Sequence, residues 1–490
     1  MSAPLVISII FIYFFGLLGI ASLTAKQTDT RGFFVANRQS PWYLVAFGMI
    51  GSSLSGVTFI SIPGAVYYNQ FSYFQVVLGY LVGYAVIALV LMPLYYRLNL
   101  ISIYGYLEQR FGTASYRTGA WFFLLSRLIG AAFRLFLAAM VLHIGIFKAW
   151  HVPFELTVVL SLFLIWIYTF RGGIKTIVWT DTLQTAFMLL AVGMSIYLIW
   201  QELGWSWAQL SDTLGRSGYT KVFFWDDWTS PDYFLKQFWS GAFLALVMTG
   251  LDQDMMQKNL TCRTLQDAQK NVFWFSLVLV VVNFAFLLLG ALLYVYAQTK
   301  GITLPTNEAG KVITDNVYPM LAFNHFGVLA GVCFLLGIVS ATYSSADSAL
   351  TALTTSFTVD ILDAERRLEE ADRKRLVRRV HIGMAAVMAL VMIVFNYIND
   401  QSVIQSLFKV AGFTYGPLLG LYAFGLMSKR PVHDRWVPLV CVLAPVFCIL
   451  LNQYSAQLLW GYKFGFEILI VNGMLTFLGL WAISYPQNTD

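Results

Sequence analysis

Between residues 51 and 64 the chain reads Gly51-Ser52-Ser53-Leu54-Ser55-Gly56-Val57-Thr58-Phe59-Ile60-Ser61-Ile62-Pro63-Gly64. These residues interrupt an apolar run, 44–68, that is otherwise long enough to cross a bilayer. Glycines, hydroxyls and a proline so close together predict a break in the helix. A break at mid-membrane frees backbone N–H and C=O groups, which is tolerated only where they line a cavity or hold an ion. A small-residue packing face is the competing reading, but Gly51 and Gly56 are out of register with GxxxG spacing.

The rest of the chain has the composition such a helix needs. Of its 490 residues 58% are hydrophobic and only 11% charged, with a mean hydropathy of +0.69. Ordinary soluble domains carry roughly 25% charged residues, so a soluble enzyme and a disordered chain are both excluded. The net charge of +6 does not form a nucleic-acid footprint, because the one dense basic run is Arg373-Lys374-Arg375 with Arg378 and Arg379. Cys262, Cys333, Cys441 and Cys448 have no metal-ligand spacing, and there is no phosphate loop, dinucleotide glycine pattern or HExxH. The chain reads as an all-α polytopic membrane protein and not as an enzyme.

Apolar runs bounded by charge or by Gly and Pro give thirteen spans: 3–24, 44–68, 72–96, 118–147, 155–170, 180–201, 238–257, 272–297, 326–358, 378–398, 402–427, 436–455 and 464–484. The first cation, Lys26, follows the first span, the reverse of a secretory signal, so that span is expected to be retained with its N-terminus outside. Of the 31 Lys and Arg, 21 then fall in inside loops and 7 in outside loops, while Arg127, Arg134 and Lys409 lie within spans. This asymmetry follows the positive-inside rule. It predicts a multi-pass protein of the plasma (inner) membrane with a cytoplasmic C-terminus. The short tail after the last span suggests no output domain.

Polar groups inside spans mark the chemistry. In Ser340-Ala341-Thr342-Tyr343-Ser344-Ser345-Ala346-Asp347-Ser348-Ala349-Leu350-Thr351, helical spacing puts Ser344, Asp347, Ser348 and Thr351 on one stripe, with Ser345 at its shoulder. Oxygen ligands without sulfur or imidazole suit a hard cation. No carboxylate cage accompanies them, so a monovalent ion, sodium, fits better than a divalent one. Asp181 heads the sixth span as Thr180-Asp181-Thr182-Leu183-Gln184, and reads either as a helix cap or as a second cation ligand. Arg127 and Arg134 share a face of the fourth span. Their excess positive charge points to an anionic solute or to a carboxylate partner, for which Asp252 and Asp254 at the end of the seventh span are candidates.

Taken together, Gly51–Pro63, Tyr168-Thr169-Phe170-Arg171-Gly172-Gly173-Ile174, Trp179-Thr180-Asp181-Thr182-Leu183-Gln184, Asp254-Met255-Met256-Gln257-Lys258 and the Ser344–Ser348 stripe resemble the sodium:solute symporter family over about 40–428. That family includes sodium/glucose, proline, iodide and sialic acid transporters, and the bacterial sugar and sialic acid branch is the most similar. The resemblance implies a LeuT-like fold of inverted five-helix repeats. Segment 1–43 would be an extra helix and inside loop, 44–201 the first repeat, 202–237 an external loop, 238–428 the second repeat and 429–490 two trailing helices.

It also implies a first sodium site from the backbone oxygens of Gly51, Leu54 and Ala341 with the hydroxyls of Ser344 and Ser345. A second site would map to Asp181, Ser344, Asp347 and Ser348, although Asp347 stands where the sialic acid carriers have a hydroxyl residue. The substrate pocket would involve Ser53, Ser55, Thr58 and Gln75, with Arg127, Arg134 and Lys409 as cationic candidates. The arginine that holds the carboxylate in sialic acid carriers is replaced here by Ala131. The implied function is sodium-coupled import of a sugar, sugar acid or other organic anion by alternating access, with one or two Na+ and the monomer as functional unit. Proton coupling through Asp347 or Lys409 is the alternative.

Overall fold

The computed structural model describes residues 3–24, 36–145, 147–169, 173–398, 403–459 and 461–486. Lys26, the Phe170-Arg171-Gly172 part of the 168–174 motif and the last residues of the tail lie outside the described residues. Among the described residues there is no strand, only isolated bridges such as Ser40 with Cys262. The bundle consists of α1 (Ala3–Thr24), α2 (Trp42–Ser53), α3 (Gly56–Asn69), α4 (Tyr73–Arg97), α5 (Thr113–Gly145), α6 (Phe154–Thr169), α7 (Gly173–Leu203), α8 (Phe234–Gly250), α9 (Gln253–Asn259), α10 (Leu265–Thr299), α11 (Gly327–Ile361), α12 (Glu370–Ile398), α13 (Val403–Thr414), α14 (Gly416–Met427), α15 (Val437–Leu458) and α16 (Ile468–Ala482). Shorter helices such as Trp207–Arg216 occupy the connections.

Seven helices are long and apolar enough to cross a bilayer unaided: α4, α5, α7, α10, α11, α12 and α15. Three further crossings are supplied by bent pairs, α2 with α3 at 55°, α8 with α9 at 70° and α13 with α14 at 41°. Length and composition thus support ten crossings among the described residues, and thirteen requires the shorter apolar stretches of α1, α6 and α16 to cross as well. Apolar side chains such as Leu390 on α12 and Leu443 and Phe447 on α15 are half exposed or more. A soluble surface avoids contiguous apolar faces of this kind, whereas lipid accommodates them.

The packing is reciprocal. α4, the second crossing of the first expected repeat, lies along the first crossing of the second, α8. In return α10, second in the second repeat, lies along α2 and α3, first in the first. The same exchange relates α7 on α11 to α13 and α14 on α5. Of the three bent pairs, α2–α3 and α8–α9 therefore face each other across the middle of the bundle, with α9 packed on α2.

Three expectations are corrected. The seventh span does not close at Asp252-Gln253-Asp254 but breaks there, and α9 continues beyond it. Asp181 does not head its helix: α7 begins at Gly173, about two turns earlier, so the carboxylate is a mid-helix group and not a cap. The basic segment 360–379, expected from its charge to be a solvated inside loop, is instead partly helical, with Arg373, Lys374 and Arg375 on the first turns of α12 and paired with Glu370 and Asp372.

Candidate ion and solute site

The two helix breaks differ in how their backbone is satisfied. At the α8–α9 break, the carbonyl of Gly250 accepts from the Tyr95 hydroxyl at 2.8 Å and that of Leu251 from the Tyr104 hydroxyl at 3.1 Å. The Asp252 side chain caps α9 by accepting from the N–H groups of Asp254 and Met255. At the α2–α3 break, Leu54 and Ser55 are extended. The Leu54 N–H still reaches Ile50, and Phe59 restarts the ladder on Ser55. Among the described residues no donor reaches the carbonyls of Gly51 or Leu54. Buried carbonyls without a donor are costly in a membrane interior; tyrosines relieve that cost at the α8–α9 break, and a cation bound at the α2–α3 break would relieve it there.

The segments on either side of this break pack against α11. A methyl at Gly56 would collide with Thr342 Oγ1 on α11, and one at Gly51 would collide with Thr185 Oγ1 on α7 and lie 3.3 Å from Ser344 Oγ. Thr342 Oγ1 is buried without a hydrogen-bond partner, whereas Ser345 Oγ donates back to the Thr342 carbonyl at 3.0 Å. Gly51, Leu54, Ala341, Ser344 and Ser345, all expected at the first ion position, are brought onto facing segments and buried. The donor set, carbonyl and hydroxyl oxygens, fits sodium.

The residues expected at a second ion position are divided. Asp181, fully buried, accepts from Ser344 Oγ at 2.7 Å and Ser52 Oγ at 2.9 Å, and its third partner is the ammonium of Lys258 at 2.6 Å. Lys258 Nζ also contacts Ser52 Oγ. Ser348 instead donates to Asp254. Asp347 is buried on α11, within electrostatic reach of Tyr13. A further cation about 4 Å from the ammonium would be repelled by about 4 kcal/mol at an effective dielectric of about 20. The first position therefore fits sodium, and the second does not while the ammonium is in place.

Next to the first break lies a cavity of about 80 Å³ lined by Ser53, Ser55, Thr58, Arg127 and Arg134. Ser52, Tyr73, Tyr80, Tyr84, Thr249 and Asn283 complete its polar wall. The two arginines are not equivalent. Arg127 binds Asp254 directly and lies 3.8 Å from Asp252, whose other oxygen contacts include the Tyr415 hydroxyl at 2.6 Å. Arg134 forms no ion pair among the described residues, and the Nε of neither arginine has a hydrogen-bond partner.

Two expected solute residues lie elsewhere. Gln75 donates to the carbonyls of Ser72 and Asp232 and accepts from the Phe224 N–H, so it ties the 202–237 segment to α4 and does not line the cavity. Lys409 is exposed on α13, although its neighbours Leu407 and Phe408 do line the cavity. The residues that sequence reasoning missed are Lys258, counted among loop cations, together with Ser52, Tyr415 and the tyrosines of α4. For Lys258 the available signal was the Asp252–Asp254 cap just before it, since a cap starts a helix and would have carried the lysine into the bundle.

The model of the family described as "Sodium:solute symporter family" matches residues 33–433. The chain is 24% identical over 470 residues to the sodium/sialic acid symporter NanT of Aliivibrio fischeri, covering 92% of this chain and 88% of that protein. It is 25% identical to the human sodium/iodide cotransporter over 407 residues, covering 82% of this chain and 61% of that protein. In fold it is similar to a Na+-coupled sialic acid symporter in a substrate-bound outward-open state, with a TM-score of 0.81 at 18% identity, covering 97% and 96% of the two chains. The closed form of Mhp1, a nucleobase-cation-symport-1 family transporter, aligns with a TM-score of 0.53 at 12% identity over 91% and 92%.

Proposed function

The chain belongs to the sodium:solute symporter family, and from that membership we propose that it imports a small organic anion, a carboxylate or sugar acid, together with sodium. The observation that carries the anion is Arg134. It is a cavity-lining guanidinium with no ion pair or hydrogen bond among the described residues, while neighbouring Arg127 is paired directly with Asp254 and lies 3.8 Å from Asp252. A guanidinium binds a carboxylate through two parallel hydrogen bonds. Hydroxyls of Ser53, Ser55 and Thr58 supply further contacts. The names of the relatives, with sialic acid and monocarboxylates among their solutes, support the same chemical class.

Alternating access is the mechanism. Sodium at the first position joins the α2–α3 break to α11, and the solute then completes the cavity between the two broken helices. We take all thirteen apolar runs as crossings of the inner membrane, with the N-terminus outside, the C-terminus inside, the repeat boundaries at 44–201 and 238–428, and the monomer as working unit. The test is uptake into proteoliposomes from a panel of carboxylates, sugar acids and neutral sugars, with and without a sodium gradient. Sodium-stimulated uptake of a carboxylate is expected. Uptake of neutral sugars alone overturns the anion reading, and uptake driven by external acid without sodium overturns sodium coupling.

A further inference from the structure

We propose that Lys258 is a tethered cation that takes the second sodium position in this chain, so that each chain binds one sodium ion and not two. The inference rests on the sodium-coupling reading above. Its ground is the ammonium 2.6 Å from Asp181 Oδ2 and in contact with Ser52, with Ser344 on the other carboxylate oxygen. Asp181 and Lys258 are both almost wholly buried, so neither charge is met by water. Ser348, which a second ion would need, is turned to Asp254.

The lysine also does the mechanical part of what an ion would do there. It stands on α9, beyond the break of the second repeat, and reaches Ser52 on α2 and Asp181 on α7. A sodium ion in this place would link the repeats only while bound, and would move with the solute. A lysine links them permanently and carries no charge across, so it contributes cohesion and no coupling. Without it, Asp181, Ser52 and Ser344 present a carboxylate and hydroxyls, a donor set for a hard cation.

Binding of radioactive sodium to the purified full-length protein in lipid nanodiscs is the test. The wild type is expected to saturate at one ion per chain, with a Hill coefficient for sodium near one in uptake. Lys258→Met is expected to bind two, with the Hill coefficient moving toward two, and Lys258→Met combined with Asp181→Asn to return to one. A wild-type count of two overturns the inference and leaves sodium coupling standing, whereas a count of zero overturns both. A Lys258→Met protein that melts in a single sharp transition and still binds one ion also overturns it. Should that variant not fold, the wild-type count decides alone.

Discussion

Arg127 and Arg134 share one face of α5 and have the same side chain, but their surroundings give them opposite predicted roles. Losing the Arg134 guanidinium removes a charge-assisted contact to the solute, of about 1.5–3 kcal/mol. Arg134→Gln is therefore expected to raise the half-saturation for a carboxylate by roughly 10- to 100-fold while the sodium count stays the same, as read by uptake and sodium binding side by side. Arg127→Gln instead leaves two buried carboxylates without their counter-charge, a change of about 3–5 kcal/mol for buried pairs. It is expected to lower the melting temperature with or without solute, and Asp254→Asn should restore part of the loss. At the ion position, Ser345→Ala is expected to raise the sodium half-saturation by about five- to tenfold, the size of one lost oxygen contact. An unchanged value would remove Ser345 from the site.

At the scale of elements, the sequence pattern revealed one break and concealed the other. The α2–α3 break is written in glycines, serines and Pro63, whereas the α8–α9 break falls at Gly250-Leu251-Asp252 and is stabilised from outside by Tyr95 and Tyr104. No local pattern announces hydroxyls arriving from distant segments. The close approach of α4 and α8 depends on small residues: a methyl at Gly79 would collide with the Phe238 carbonyl, and one at Gly241 with that of Val76. Gly79→Ala is expected to cost about 1–3 kcal/mol as overpacking, measurable as a lower melting temperature. The 3-10 turn Thr314–Asn316 packs on α3, and Asp315 accepts from the Val403 N–H that opens α13. Burial pushes the Asp315 carboxyl above its ordinary range. The folded chain then holds that proton more tightly than the unfolded one, so this contribution to stability is present at low pH and lost as pH rises through the raised value. Asp315→Asn removes that slope, and should raise the melting temperature more at pH 8 than at pH 5.

For the molecule as a whole, the ion count sets the drive. One charge moved through 100 mV is worth about 2.3 kcal/mol, or roughly 50-fold accumulation. One sodium carried with a monoanion moves no net charge, so an imposed potassium diffusion potential is expected to leave the initial rate of carboxylate uptake unchanged, and a rate that rises with inside-negative potential would require a second sodium. Sequence by itself determined the membrane-embedded all-α class, the first break and the serine helix, because those follow from local periodicity and from the cost of placing polar groups in lipid. It also brought Arg127, Arg134, Asp252 and Asp254 into view as unbalanced charges. Only the tertiary structure decided which charge meets which: that Arg127 and not Arg134 is ion-paired, that Gln75 and Lys409 stand away from the cavity, and that Lys258 on α9 reaches Asp181 on α7. Those pairings join residues far apart in the chain, and the low dielectric of the bundle interior makes each of them consequential.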